Sequence, residues 1–317
     1  MTASRLDTDL PRAEDELRAR AAAGKIERWW EVESCTWLGV AVPESTRTLA
    51  DEALARWTCP DFIEADSRRW TSPTRGRALY AVEHTFEMIF VAARLEVPYL
   101  RGRRPALVAW LAGLQGDDGR FAAQEAYEEI EHMRAWERAD IAGDEIRAAW
   151  QRAIPGCEPL GVTGPHSDLA DAWYVTRSLQ LLGATPRDPA AAIAWIQSRQ
   201  CPDGAFRSPL SLEPSGAVHG SPLVDTARAV ETLALLGAGP ADRDRCVAWL
   251  AGAIGTLDPR DLAAWLHIAS PLVALGAGRH IATLPFLLQD MPVRDGGHDL
   301  YAVLRLIQLL VPIAEQG

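Results

Sequence analysis

The sequence predicts an all-α protein whose helix pairs repeat and close into an α/α toroid of about six inner and six outer helices. Three observations lead there. The stretches AWLAGLQGDDGRF (Ala109 to Phe121) and AWIQSRQCPDGAF (Ala194 to Phe206) carry the same marks at the same spacing: Ala-Trp, an aliphatic residue, then Gln, Gly and Phe. Tryptophan also recurs in helical context, in Ala55-Arg56-Trp57, Ala109-Trp110, Ala149-Trp150, Ala194-Trp195 and Ala248-Trp249. Finally, HDLYAVLRLIQLLVPI near the end of the chain is among its most apolar stretches. An open solenoid ends in a polar outer face, so this helix needs a partner, and the unpaired N-terminal helices can supply one.

In chain order, residues 1–30 are expected to form an N-terminal surface-helix region packing on the ring, its charged, alanine-rich stretch 10–30 reading as a helix that ends at Trp29-Trp30. Residues 31–317 form the toroid domain. Glu31 to Pro43 is a poor helix candidate, which leaves one helix pair unassigned. The Trp helices follow, with Ile281 to Gln289 as a sixth that puts Phe286 in the tryptophan's place. Partner helices are expected at Ala78 to Arg94, Gln124 to Arg138, Asp168 to Leu182, Pro222 to Leu236, Asp261 to Leu275 and Asp299 to Val311. Several end in Leu-Gly, where glycine takes the left-handed cap. Ser167-Asp168, Ser221-Pro222 and Asp258-Pro259 have the chemistry of helix starts. No stretch alternates apolar and polar residues between turn signals, so no strand is expected.

Composition narrows the partners. A formal charge of -11 argues against nucleic acid and anionic membrane, which need clustered basic surface. No basic segment followed by an apolar run opens the chain, and no run is long enough to span a bilayer. The expected compartment is the cytoplasm, with no integral membrane segment; homo-oligomerisation is left open. Cys35, Cys59, Cys157, Cys201 and Cys246 form no CxxC pair and read as reduced thiols.

Trp195-Ile196 through Gln200, Gly204 and Phe206, with the copy at Trp110 to Phe121, resembles the Gln-Trp repeat of squalene-hopene cyclases, and equally the repeat of protein prenyltransferase β subunits. The resemblance covers roughly residues 76–311 and implies the toroid fold. The cyclase motif is Asp-x-Asp-Asp-Thr-Ala, its middle aspartate being the acid. Asp225-Thr226-Ala227 matches its end with Val224 at the acid position, and Asp168 and Asp171 match its first and fourth positions with Ala170 at the acid. The prenyltransferase zinc set would need Asp225 and a cysteine where Ala227 stands; His298 matches the family's histidine helix only loosely. Lanthionine cyclases, also toroids, need Cys and His zinc motifs that this chain lacks. No metal and no cofactor is expected.

The polar residues of the partner helices carry the remaining chemistry. Asp168 and Asp171 lie three apart on one helix face and can share a proton. Asp225 is a further catalytic candidate; it and Asp261 recur in similar first-turn positions, where the plainer reading is that the helix dipole stabilises an acid without further function. Glu83, His84 and Glu87 interrupt the apolar helix ALYAVEHTFEMIF, as a satisfied ion pair or as acid and base lining a cavity. Trp173, Tyr174, Trp265, His267 and Tyr301 are the aromatic and imidazole groups for substrate binding, with core packing as the plainer reading. Glu125, Glu128, Glu129, Glu131 and His132 crowd one helix; a solvated face is the plain reading, and a metal site would need other helices.

Two function classes follow. In one, the chain is a terpene-cyclase-like cyclase or isomerase of secondary metabolism, acting on a flexible apolar substrate by acid–base catalysis. In the other, it is a non-catalytic binding or scaffold module. A carbohydrate-active toroid with paired carboxylates is the third reading.

Overall fold

The computed structural model of the 317-residue chain describes residues 5–26, 28–56, 78–121, 168–208, 222–258, 261–281 and 297–314. They fold as helices α1 (Arg5–Ala22), α2 (Trp29–Trp37), α3 (Glu44–Arg56), α4 (Ala78–Arg94), α5 (Pro98–Gly113), α6 (Asp168–Leu181), α7 (Pro189–Ser198), α8 (Pro222–Leu235), α9 (Arg243–Ala253), α10 (Leu262–Ala274) and α11 (Gly297–Ala314). The described residues contain no strand, only the isolated bridges Gln115–Phe121 and Gln200–Phe206. The chain is all-α there, and no described helix is long and apolar enough to cross a membrane.

Helix ends repeat one device. After α2, α6, α8 and α10, an amide two residues past the cap reaches back to the last turn: Val40 to Cys35, Ala184 to Leu179, Ala238 to Leu233 and Ala277 to Leu272. Gly39, Gly183, Gly237 and Gly276 supply the positive φ this closure requires. At α4 the same closure, Val97 to Ala92, is made over Glu96 at φ 51. A side chain there costs roughly 1 kcal/mol against glycine.

Two N-terminal expectations are corrected. The first helix does not run to Trp29-Trp30, because Gly24 at φ 69 stops it and the Lys25 amide closes onto Arg20. Glu31 to Pro43, a poor helix by propensity, supplies most of α2. Packing overrides propensity here: Val32, Ser34 and Cys35 are fully buried, and buried Glu31 accepts from the Arg28 amide and pairs with Arg20. The boundary at residue 30 therefore falls inside a helix. A third correction concerns α10, whose cap is Asp261, accepting from the Ala264 amide, rather than Asp258.

The repeat decodes into a joint. Gln115 receives the Asp188 amide and donates to the Asp188 carbonyl; Gln200 does the same with Asp242. Asp188 and Asp242 in turn accept from Ala191 and Arg245 in the first turns of α7 and α9. Each glutamine thus ties the end of one Trp helix to the start of another. The first joint spans 73 residues and the second 42. The end of the Trp110 helix is thus bonded to the start of the Trp195 helix. Gln124 to Arg138, Trp57, Ala149-Trp150, and Ile281 to Gln289 beyond Ile281 lie outside the described residues.

Contacts divide the chain into two compact units. One comprises Met1–Leu49, Gln197–Phe206 and Pro222–Gly317. In it α10 lies between α8 and α11, and α11 packs on α2 and α1. The other comprises Ala50–Ile196 and Arg207–Ser221, with α6 against α4 and α5. The partner helices are enclosed, with Met88, Ile89, Phe90, Val91 and Ala92 buried in succession on α4. The Trp helices bury a narrow stripe, Leu107 and Leu111 on α5.

Candidate functional site

The densest collection of expected site residues lies on α4 and α6. Glu83 and Phe86 are one turn apart on α4; Asp168, Asp171 and Tyr174 climb one face of α6. Phe86 meets Tyr174, while Glu83 acts electrostatically on Asp171, the same offset one turn earlier. This constant offset means that α4 and α6 run parallel.

Asp168 is 1% and Asp171 2% exposed. Asp168 Oδ1 accepts a hydrogen bond from the Ser208 hydroxyl at 2.5 Å. The Asp171 carboxyl is held well above the ordinary carboxylate range, first by burial, then by the negative charge of Asp168, then by that of Glu83. The pair therefore combines a carboxyl whose proton affinity is raised with a neighbour that receives a hydroxyl donor. Beside it Phe86, Trp173 and Tyr174 form an aromatic cluster with centroids 5.1 Å (Phe86–Trp173), 5.3 Å (Phe86–Tyr174) and 5.2 Å (Trp173–Tyr174) apart. Phe86 and Trp173 are buried and Tyr174 is half-buried.

The remaining expected residues do not gather there. Asp225, Trp265, His267 and Tyr301 belong to the other unit. Asp225 is buried on α8 next to Thr226, whose hydroxyl accepts from the Phe206 amide and donates to the Pro222 carbonyl. That threonine ties the second repeat to α8. Tyr301 is wedged between Trp29 and Trp37 at 5.1 and 5.5 Å. Its phenol is pushed far above its ordinary value by burial first and by the Glu33 charge next. Glu231, which also acts on Tyr301, accepts from the Ser270 hydroxyl and pairs with Arg228. Trp265 is buried, its indole N–H lacking a hydrogen-bond partner among the described residues, and His267 is half-buried. The side chain of His84 lies outside the described residues, as does the cluster from Glu125 to His132.

Sequence reading missed Ser208, Phe86 and the aromatic pair Trp29 and Trp37. One signal for Ser208 was available: it stands two residues after the repeat's Phe206, where the first copy has Ala123. Two of the described cysteines are held as thiols. Burial raises the Cys35 thiol to about 11 and the Cys246 thiol to about 12, and Cys201 is half-exposed without a disulfide. Among the described residues no group of three or more His, Cys, Asp or Glu is placed to hold a metal ion. On the surface of α5, Pro98, Tyr99, Gly102 and Arg103 line an open groove of about 510 Å³, with the Arg103 guanidinium 5.5 Å from the Tyr99 ring centre.

Comparison with family models, with curated proteins and with solved structures returns no match to this chain.

Proposed function

We propose that this chain is an acid–base enzyme of secondary metabolism, a cyclase or isomerase acting on a flexible apolar substrate of prenyl or polyene type, and that its helix pairs close into an α/α toroid. The observation that carries the chemical reading is the almost complete burial of Asp171 one helical turn from Asp168, which holds its carboxyl well above the ordinary range. A carboxylic acid kept neutral by its surroundings can protonate a substrate at a pH where an ordinary carboxyl has lost its proton. The Asp171 O–H would protonate an alkene carbon, the π pair forming the new C–H bond and leaving a cation on the adjacent carbon. Loss of a proton from a neighbouring carbon to the Asp171 carboxylate would close the cycle with no net redox change. The faces of Phe86, Trp173 and Tyr174 suit a developing cation, since an aromatic quadrupole attracts positive charge.

The acid in this reading occupies the fourth position of the cyclase motif rather than its third, where Ala170 stands. It is therefore a reading of this chain's own residues. Ring closure draws support from the packing of α11 on α2, which sets the last helix against one of the first.

The deciding experiment incubates the purified chain, without added metal, with polyprenyl substrates in deuterated water. Deuterium in the isomerised or cyclised product is expected. Asp171→Asn should lower turnover by about 10²–10⁴, the usual contribution of a general acid. Full turnover in the Asp168→Asn, Asp171→Asn double variant would exclude the pair as the acid. The second reading, a binding module, has in its favour the open groove at Tyr99 and Arg103; absence of turnover with every polyprenyl chain length tried would favour it.

A further inference from the structure

Two carboxyls, each almost fully buried and one helical turn apart, are costly to ionise together, so burial and mutual repulsion favour one proton between them. The oxygen that carries this proton decides which group can deliver it. Asp168 opens α6, where free backbone amides favour negative charge. Its Oδ1 also receives the Ser208 hydroxyl, and a donor to a carboxylate stabilises the charged form over the neutral one.

We propose that Ser208 is a positioning residue: by donating to Asp168 it holds that group as the carboxylate and leaves the pair's proton on Asp171. This rests on reading the pair as the acid of the site. The chain delivers Ser208 through the second repeat, whose glycine turn and Phe206 lead straight into it. The first copy has Ala123 at that place, a methyl group that donates nothing. The hydroxyl is thus an addition to the repeat, set where it meets an acid.

Among the described residues, the other charged groups that face the pair come from α4, α5 and the segment after Phe206. From α4, Glu83 adds negative charge against Asp171, and Glu87 is buried further along the same helix; the side chain of His84 lies outside the described residues. From α5, Arg104 is committed to the carbonyls of Leu182 and Gly183 at the opposite end of α6. Arg207, next to Ser208, is exposed.

The test reads the aspartate carboxyls of the unliganded full chain by carbon-13 NMR across pH about 4–9, with Asp168→Asn and Asp171→Asn to assign the two resonances. In the native chain Asp171 is expected to keep its proton to the higher pH. In Ser208→Ala, Asp168 should titrate at least about one pH unit higher, roughly tenfold in proton affinity, and take up part of the proton that Asp171 held. Ser208→Thr keeps a hydroxyl and should restore the native curves. Should Ser208→Ala not fold, Ser208→Cys, a weaker donor of similar size, should shift Asp168 in the same direction. Unchanged curves for Asp168 and Asp171 in the folded variant overturn the proposal. No substrate is present, so flat titrations count against Ser208 alone, whereas failure of polyprenyl turnover in the native chain counts against the enzyme reading alone.

Discussion

A buried carboxyl that prefers its proton leaves a mark on stability as well as on chemistry. The raised pKa of Asp171 means that the folded chain binds this proton more tightly than the unfolded chain does. Its contribution is fully present below the ordinary carboxylate value and is lost as pH rises from there through the folded-state pKa. Within that window the loss is about 1.4 kcal/mol per pH unit. Asp171→Asn keeps a neutral side chain of the same shape and should flatten the dependence. Melts of the two proteins should converge at acidic pH and separate above it, with the variant the more stable; a parallel pair of curves would show that Asp171 ionises normally. The spacing of Asp168 and Asp171 was legible in the sequence because one helical turn separates them. Ser208 was not, because it lies 40 residues from the carboxylate it binds.

At the scale of elements, the glycine of each repeat works through contact as well as through conformation. Gly119 and Gly204 have φ of 86 and 97, and a Cβ on them would stand 2.1 Å from the Ala191 carbonyl oxygen and 2.3 Å from that of Arg245. Neither neighbour can give way, being backbone in the first turn of α7 or α9. Gly237 shares the positive φ, at 73, but has open space around it. Gly204→Ala should therefore cost more than about 3 kcal/mol, the strain of the φ adding to a backbone clash, and Gly237→Ala only about 1 kcal/mol. Denaturant melts of the two variants measure the difference, and equal costs would refute the close approach. The repeat, its glycine turn and its glutamine were all visible as a pattern. Their physical meaning was not, because Gln115 and Gln200 act on segments 73 and 42 residues away. A tryptophan beside an alanine marks a helix, whereas the bonded glutamine shows which helix start it is tied to.

For the molecule as a whole, the C-terminal helix is the element on which one unit depends. Leu300, Ala302, Val303 and Leu306 of α11 are buried, and the helix covers faces of α2 and α10. Each large apolar side chain so buried contributes about 1.5–3 kcal/mol. A chain ended after residue 296 should lose its cooperative melt and bind a hydrophobic dye, because the faces of α2 and α10 that α11 packs on lose their cover. A chain lacking α1, whose described residues bury Leu17 and Ala21, should stay folded with a lower midpoint. Cooperative unfolding of the C-terminally shortened chain would show that α11 is dispensable.

Most of the helices, their glycine stops and the glycine turn of the repeat are local in origin, and the sequence alone determined them. A left-handed cap needs glycine, a tight turn needs a fixed spacing, and a face needs a period, all within a few residues. Burial and distant partners belong to the tertiary structure. Packing made a helix of Trp29–Trp37 against its propensity and placed Tyr301 between Trp29 and Trp37. It also excluded water from Asp171 and brought Asp168, Glu83 and Ser208 to bear on one proton. The affinity of a carboxyl for its proton is set by everything that surrounds it, and residues far apart along the chain become its surroundings only when the chain folds.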